Sequence, residues 1–465
     1  MRYSMTFQEK DYERLNAHLF KDRDVEAAAY LLCKMGSTAE ETRLLVREVI
    51  PVQEADIEEA SRVHMKIRSR SFMRAMKRAD KTRQVFVFVH SHPPTFRDHS
   101  AKDDREELML FRTAYTRIRT AGVHASIVFS DPGVPSGRIW LDDGSTRPLD
   151  LVRSIGERFK FHFLAKEQET VPEFFDRQVR AFGEDIQRLL RKLHIGVVGA
   201  GGTGSAVIEE LIRLGVGSLT VIDGQLFDRS NVNRVYGSRV SDAGGEKVGI
   251  VRRSIGEIGL GTELTTINRP VSFESAAAAL RNADIVFGCT DDQWGRSILC
   301  RMAVYYGIPM IDMGLKIISE NGTIQSVQGR VTTLLAGYAC LYCRERITPK
   351  GVREQSLAET DPEQFRQLVR DGYADELATP SPSVIPFTTG IATIAICELL
   401  HRLTGFLGED RRSNEVIVFF DEYRTRTNRR ESQEDCICGD ETYIMRGDVV
   451  PLLDITWRPE RPDHA

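Results

Sequence analysis

The chain has 465 residues, 41% hydrophobic and 28% charged, which is enough apolar material for more than one buried core. Its net charge of −4 gives no global electrostatic case for nucleic acid as a partner. No apolar run reaches the length of a membrane span, and the N-terminal segment lacks a signal peptide's apolar core, so a cytoplasmic chain is expected.

In chain order, the first informative stretch runs from Glu26 through Ala-Ala-Ala-Tyr-Leu-Leu-Cys-Lys-Met to Gly36, an apolar segment led by an acid. Gln84 to His90 is β-branched and aromatic and reads as a buried strand, which Pro93-Pro94 ends. On a strand, i and i+2 share a face, so His90 and His92 project together. Ser100 and Asp103 follow, and Val123 to Ser130 reads as a later strand. Two imidazoles and a carboxylate leave one tetrahedral position open, the arrangement of a catalytic zinc rather than a structural one. Such an ion makes hydroxide available at neutral pH.

This pattern, His-x-His-Pro followed by Ser and then Asp, resembles the JAMM metallopeptidases, which cleave peptide or isopeptide bonds after ubiquitin-like tails. The resemblance covers residues 1–165 and implies an α/β metallopeptidase domain. By it, His90, His92 and Asp103 hold zinc, Ser100 helps stabilise the oxyanion, and Glu26 is the general base. His99 and His124 have no place in the pattern and are read as structural.

Residues 166–192 are charged with helical apolar spacing and are read as a helical linker containing Arg177. From 193 to 440 strand and helix patterns alternate. Strands are expected at Ile195–Val198, Ser218–Asp223, Leu264–Ile267, Asp284–Cys289 and Ile308–Asp312, with a helix over Ala206–Leu214. That alternation calls for a Rossmann-like, doubly wound, mainly parallel sheet. Residues 346–383 read as a long polar crossover loop with one short helix from Pro362 to Asp371, and 441–465 as a C-terminal tail.

Gly199-Ala-Gly-Gly-Thr-Gly204 lies between a strand and a helix, where Gly199, Gly201, Gly202 and Gly204 let the backbone approach a phosphate. Asp223 follows at the distance suited to a ribose in either an NAD or an ATP site. Asn231, Arg234, Lys247 and Asp291 then supply a basic and acidic set that a dinucleotide cradle does not need. This region resembles the ThiF-like adenylating family, which includes ubiquitin-activating enzymes and the sulfur-carrier activators of thiamine and molybdopterin synthesis. The resemblance implies ATP, with Asp223 on the ribose, Asn231, Arg234 and Lys247 on the phosphates, and Asp291 organising Mg2+. It also implies a homodimer in which Arg177 reaches the partner subunit's nucleotide. Gln225 and Val235 depart from the family pattern, which has Asp and Gln there.

Of eight cysteines, Cys340, Cys343, Cys436 and Cys438 form two close pairs suited to a structural zinc. Cys33, Cys289, Cys300 and Cys397 sit in apolar patterns and are read as core. The segment from Arg344 to Ile396 has no cysteine, so a thioester cysteine lies elsewhere or the adenylate passes to a conjugating enzyme or sulfur donor. Together the two halves imply a bifunctional enzyme acting on the C-terminus of a ubiquitin-like or sulfur-carrier β-grasp protein. An NAD(P)-dependent oxidoreductase with a metal-binding domain, or a non-catalytic scaffold for a ubiquitin-like protein, are the alternatives.

Overall fold

The computed structural model describes residues 1–61, 64–119, 122–164, 170–375 and 382–459. Residue 165 and parts of the expected linker (166–169), crossover segment (376–381) and tail (460–465) lie outside these. The chain divides into two compact units, one of Met1–Gln168 with Met445–Asp448, the other of Glu169–Ile444 with Val449–Ala465.

Unit 1 begins with β1 (Arg2–Gln8), α1 (Glu9–Leu19), β2 (Ala28–Ser37) and β3 (Glu41–Pro51). A small hairpin, β4 (Ile57–Ser61) and β5 (His64–Ile67), precedes α2 (Ser69–Thr82) and β6 (Val85–Ser91). Then come α3 (Ala101–Arg117), β7 (His124–Asp131), β8 (Val134–Trp140), β9 (Thr146–Pro148), β10 (Leu151–Ile155) and β11 (Phe159–Phe163). Nine strands form one sheet in the order β11-β10-β1-β3-β2-β6-β7-β8-β9. Alternation along β6 sorts its side chains onto two faces. Val85, Val87 and Val89 enter the core beneath α1 with Leu15 and Leu19. Phe86 and Phe88 pack on the other face with Met76 of α2 and Phe111 of α3. Continuing that alternation puts His90 and His92 on the α3 side.

Unit 2 opens with α4 (Asp176–Phe182) and α5 (Glu184–Lys192), so the stretch read as a linker is helical and clusters with this unit. Next are β12 (His194–Val198), α6 (Gly202–Leu214), β13 (Ser218–Ile222), α7 (Lys247–Ile258) and β14 (Glu263–Ile267). They lead to α8 (Glu274–Ala279), β15 (Ile285–Gly288), α9 (Gln293–Tyr306), β16 (Met310–Glu320) and β17 (Thr323–Leu334). The rest is α10 (Pro349–Thr360), α11 (Pro362–Arg370), α12 (Ile385–Thr404), β18 (Glu415–Phe419) and β19 (Arg424–Asn428). The sheet order is β14-β13-β12-β15-β16-β17-β18-β19, parallel from β14 to β16 and antiparallel beyond. The strand order reverses between β12 and β15, and ligands of doubly wound sheets bind at such a point, outside the carboxyl ends of the strands.

The structure corrects two expectations. The crossover segment has a second helix, α10, whose first turn is set by Pro349 and by Thr348 Oγ1 accepting the Gly351 N–H at 3.0 Å. None of its residues is buried, so no apolar periodicity announces it. The expected tail is also folded in part. Asp448 accepts the Ser37 N–H at 2.7 Å and donates its own to the Met35 carbonyl at 2.9 Å, while Leu452 and Leu453 are buried. Its charged and proline-rich composition hides these few anchoring residues. No helix among the described residues is long and apolar enough to cross a membrane.

Candidate functional sites

In unit 1 three elements converge. Ala28 of β2 pairs with His90, and the Ser91 N–H donates to the Ala27 carbonyl at 2.9 Å, which carries Glu26 to a position across from His92. The His92 N–H continues the ladder to the Phe129 carbonyl of β7 at 2.8 Å. Ser100 caps α3, its hydroxyl accepting the Asp103 N–H at 3.2 Å while its own N–H donates to Asp103 Oδ2 at 2.6 Å. That capping box turns the Asp103 carboxylate toward the histidines. It also leaves the single proton of the Ser100 hydroxyl for another acceptor.

The resulting triad is compact. His90 Nε2 and His92 Nε2 lie 3.0 Å apart, and each is 3.4 Å from an Asp103 oxygen. Ligands about 2.05 Å from a tetrahedral zinc stand about 3.3 Å from one another, so the spacing fits a single ion. The donor set fits as well, with two buried imidazoles aimed at each other and a carboxylate facing both. Burial pushes the Glu26 carboxyl up, the two histidines partly offsetting it. A cleft lined by Phe20, Val25, Glu26, His92, Pro93 and Asp131 runs beside the triad. His124 is buried, and His99 is half-buried with its Nε2 3.2 Å from the Ser126 hydroxyl. Burial pushes His99 down to about 2 and His124 to about 4, so both are neutral.

In unit 2 the glycine turn sits at the end of β12. Gly199 has φ +98°, and a side chain there would meet the Cys289 carbonyl at 2.8 Å. At Gly204 a Cβ would lie 1.8 Å from the Gly199 carbonyl, so only glycine lets the turn close on α6. Gly201 precedes α6 as its N-cap with open space where a side chain would be. Asp223, just past β13, accepts the Ala200 N–H at 2.7 Å and the Gln225 N–H at 2.8 Å, so it fixes the turn as well as facing it. The Arg234 stem packs over Gly202, where an added Cβ would stand 3.2 Å from Arg234 Cδ. Asn231 closes the short 3-10 turn that leads to Arg234. Lys247, buried at the start of α7, donates Nζ to Gln225 Oε1 at 2.6 Å.

Beyond β15 the two neighbouring acids differ. Asp292 caps α9 through the Gly295 N–H, whereas Asp291 is exposed. Arg177 stands exposed on α4, with no hydrogen bond tying it to the glycine turn among the described residues.

The four paired cysteines meet in unit 2. Sγ separations are 4.0 Å for Cys340–Cys343, 3.5 Å for Cys340–Cys436 and 3.4 Å for Cys343–Cys438. Four thiolates about 2.3 Å from one zinc stand about 3.8 Å apart, so this set can close around an ion with no position left open. Cys343→Ser is therefore expected to remove about one zinc per chain and to lower the melting temperature, read by metal analysis and calorimetry. Unchanged zinc content would refute the assignment.

With these sites in place, residues 175–439 match the ThiF family. The chain belongs to the ThiF family. Residues 8–131 match the prokaryotic homologs of the JAB domain, so the polypeptide is a fusion of a JAB-like domain with a ThiF domain. This ThiF-family chain is 26% identical over 161 residues to the SAMP-activating enzyme E1 of Haloferax volcanii, covering 35% of this chain and 56% of that one. It is 27% identical to the molybdopterin-synthase adenylyltransferase of Escherichia coli, over 37% of this chain and 68% of that one. Against the adenylyltransferase and sulfurtransferase UBA4 of Meyerozyma guilliermondii the identity is 28%, over 29% of this chain and 32% of that one. The chain thus spans about a third to two thirds of the length of these relatives. Among solved structures, E. coli MccB in complex with succinimide aligns at a TM-score of 0.44 and 14% identity, over 57% of this chain and 74% of that one.

Sequence reasoning missed a charged cluster beside this end of the sheet. Asp312 of β16 is buried and receives Arg296 at 3.2 Å and Arg330 at 2.6 Å, one strand from Asp291. Nothing in the local pattern announces the cluster, because its members come from α9, β16 and β17. Val235, where the family pattern has Gln, packs in a small core with Phe227 and Ile250. That position serves packing here.

Proposed function

We propose that unit 1 hydrolyses the peptide or isopeptide bond at the C-terminus of a ubiquitin-like or sulfur-carrier protein. In the same reading, unit 2 adenylates that terminus with ATP and Mg2+, for conjugation or sulfur transfer. The observation that carries the reading is the gathering of Asp223, Arg234 and Lys247 about the glycine turn, with exposed Asp291 just past β15, the strand that pairs directly with β12.

In unit 1, His90, His92 and Asp103 would hold zinc, which when bound supplies an activated water at neutral pH. Glu26 takes a proton from the attacking water and returns it to the leaving nitrogen, and the water's second proton follows it there, so that cleavage yields a carboxylate and an ammonium group. The Ser100 hydroxyl donates to the carbonyl oxygen as it gains charge. In unit 2 the carrier's terminal carboxylate attacks the α-phosphorus of ATP. The bond to the β-phosphate oxygen breaks, leaving acyl-adenylate and pyrophosphate. Arg234, Asn231 and Lys247 offset the negative charge that this brings together, Asp223 holds the ribose, and Asp291 would organise Mg2+. Arg177 acts on the partner subunit's nucleotide in a homodimer, which accords with its exposure. Burial pushes the Cys289 and Cys397 thiols up, so neither is poised as a thioester nucleophile. Free cysteines, including the four-thiol cluster, suit a cytoplasmic enzyme, with neither membrane nor nucleic acid among its partners.

Carrying both activities on one chain raises the local concentration of the trimmed terminus near the adenylating site. The test is ATP–pyrophosphate exchange with small β-grasp proteins, each supplied full-length and already trimmed to Gly-Gly. Exchange with trimmed carrier is expected at once, and with full-length carrier only where zinc is present. Binding of NAD with no exchange on any carrier would refute the adenylation half.

A further inference from the structure

Behind the His90–His92–Asp103 triad lies a buried polar cluster that the proposed chemistry does not use. Glu107 sits one turn beyond Asp103 on α3 and is 2% exposed. Its Oε2 accepts the Ser126 hydroxyl at 2.5 Å, Arg138 Nη2 at 2.8 Å and Trp140 Nε1 at 3.2 Å. Arg138 also grips Asp104, the residue after the metal-site aspartate. Ser126 lies on β7 in register with Phe88 of β6, two residues before His90. With the only Ser126 proton given to Glu107, the His99 Nε2–H donates to the Ser126 oxygen at 3.2 Å. The His99 ring in turn stands against His90, centroids 6.4 Å apart.

A helix carrying one of three ligands must hold its roll about its own axis, because rotation swings the carboxylate off the ion. Along α3, Asp103 faces the histidines while Asp104 and Glu107 face Arg138 of β8. Three side chains converge on the Glu107 Oε2 and hold that buried carboxylate from several directions, whereas one contact alone would leave the helix free to turn. We infer that Glu107, with Ser126 and Arg138, is a positioning group that fixes α3 against β7 and β8 so that Asp103 meets the two histidines at metal-binding distance. It touches neither ion nor substrate and works through Asp103. The inference rests on the reading of the triad as a metal site.

The test measures the metal, on the full-length chain. Zinc affinity is read by competition with a chromophoric chelator, and ligand geometry by the visible bands of cobalt-loaded protein. The four-thiol cluster contributes bands of its own that serve as internal reference. Glu107→Gln should bind zinc about 10- to 100-fold more weakly than wild type, with weakened triad bands and unchanged helix content by circular dichroism. Ser126→Ala should move both readouts the same way by less. If Glu107→Gln does not fold, Ser126→Ala and Arg138→Lys decide the matter. Wild-type affinity and bands in folded variants would overturn the inference when Asp103→Ala has lost the metal. Wild-type affinity in Asp103→Ala as well would overturn the metal reading, and the positioning role with it.

Discussion

Glu26→Gln is expected to slow hydrolysis by about 10²- to 10⁴-fold, the range that a positioned general base contributes, while zinc content and ATP–pyrophosphate exchange stay at wild-type levels. The register explains why. Glu26 lies across from His92 where the antiparallel β2–β6 register is continued past the strand ends, and it lines the cleft beside the triad without being among the three groups that converge on the ion. Burial already disfavours its charge, so replacing it by a neutral amide costs the fold little, and the melting temperature should hold or rise. Asp103→Ala provides the contrast, because it should lose both hydrolysis and the metal. Steady-state cleavage of a carrier fusion, with zinc analysis of the same samples, separates the two. A Glu26→Gln variant that cleaves within about threefold of wild type would assign the base elsewhere.

The contrast between Glu26 and Glu107 also shows what the sequence could say. Glu26, His90, His92, Ser100 and Asp103 are legible because their spacing is local. A strand sets the two histidines on one face, and a capping box ties Ser100 to Asp103 three residues on. The glycine turn and Asp223 are legible for the same reason, since each sits at the end of a strand that alternation marks. Glu107 is invisible in the sequence. It is one acid among several on a charged helix, and only the fold brings it to Ser126 and Arg138, 19 and 31 residues away. Asp312 with Arg296 and Arg330 is hidden likewise, built across two strands and a helix. The long hairpin of β16 and β17 also exceeds the expected strand at Ile308–Asp312, because its outer half is largely exposed and mixes buried Ile317 and Val327 with surface Ile318 and Ile324, so no clean burial pattern marks it. Periodicity reports burial, so elements that bury little leave no mark.

The adjacent acids after β15 give the sharpest separation of chemistry from structure. Asp291→Ala is expected to abolish ATP–pyrophosphate exchange, lowering it by at least about 100-fold, with melting temperature, zinc content and hydrolysis unchanged. Asp292→Ala is expected to behave in the opposite sense. The Asp292 side chain accepts the Gly295 N–H at the start of α9 and receives the Thr290 hydroxyl, so its loss removes a helix cap worth about 0.5–2 kcal/mol. Exchange should fall far less than in Asp291→Ala. The difference follows from what each carboxylate is already bonded to. Asp292 spends one oxygen on the Gly295 N–H and the other on the Thr290 hydroxyl, whereas Asp291 is exposed, with its carbonyl approached by Arg296 at 3.4 Å and no bond to its carboxylate among the described residues, so that carboxylate is available to a cation. The requirement for Mg2+ should track this. In wild type, exchange should rise with Mg2+ and saturate, and Asp291→Asn should need more Mg2+ to reach a lower plateau. Exchange assays across a magnesium titration, with calorimetry on both variants, decide it. If Asp292→Ala loses exchange as completely as Asp291→Ala while keeping its stability, the two roles are reversed and the cation belongs to the residue at the helix cap.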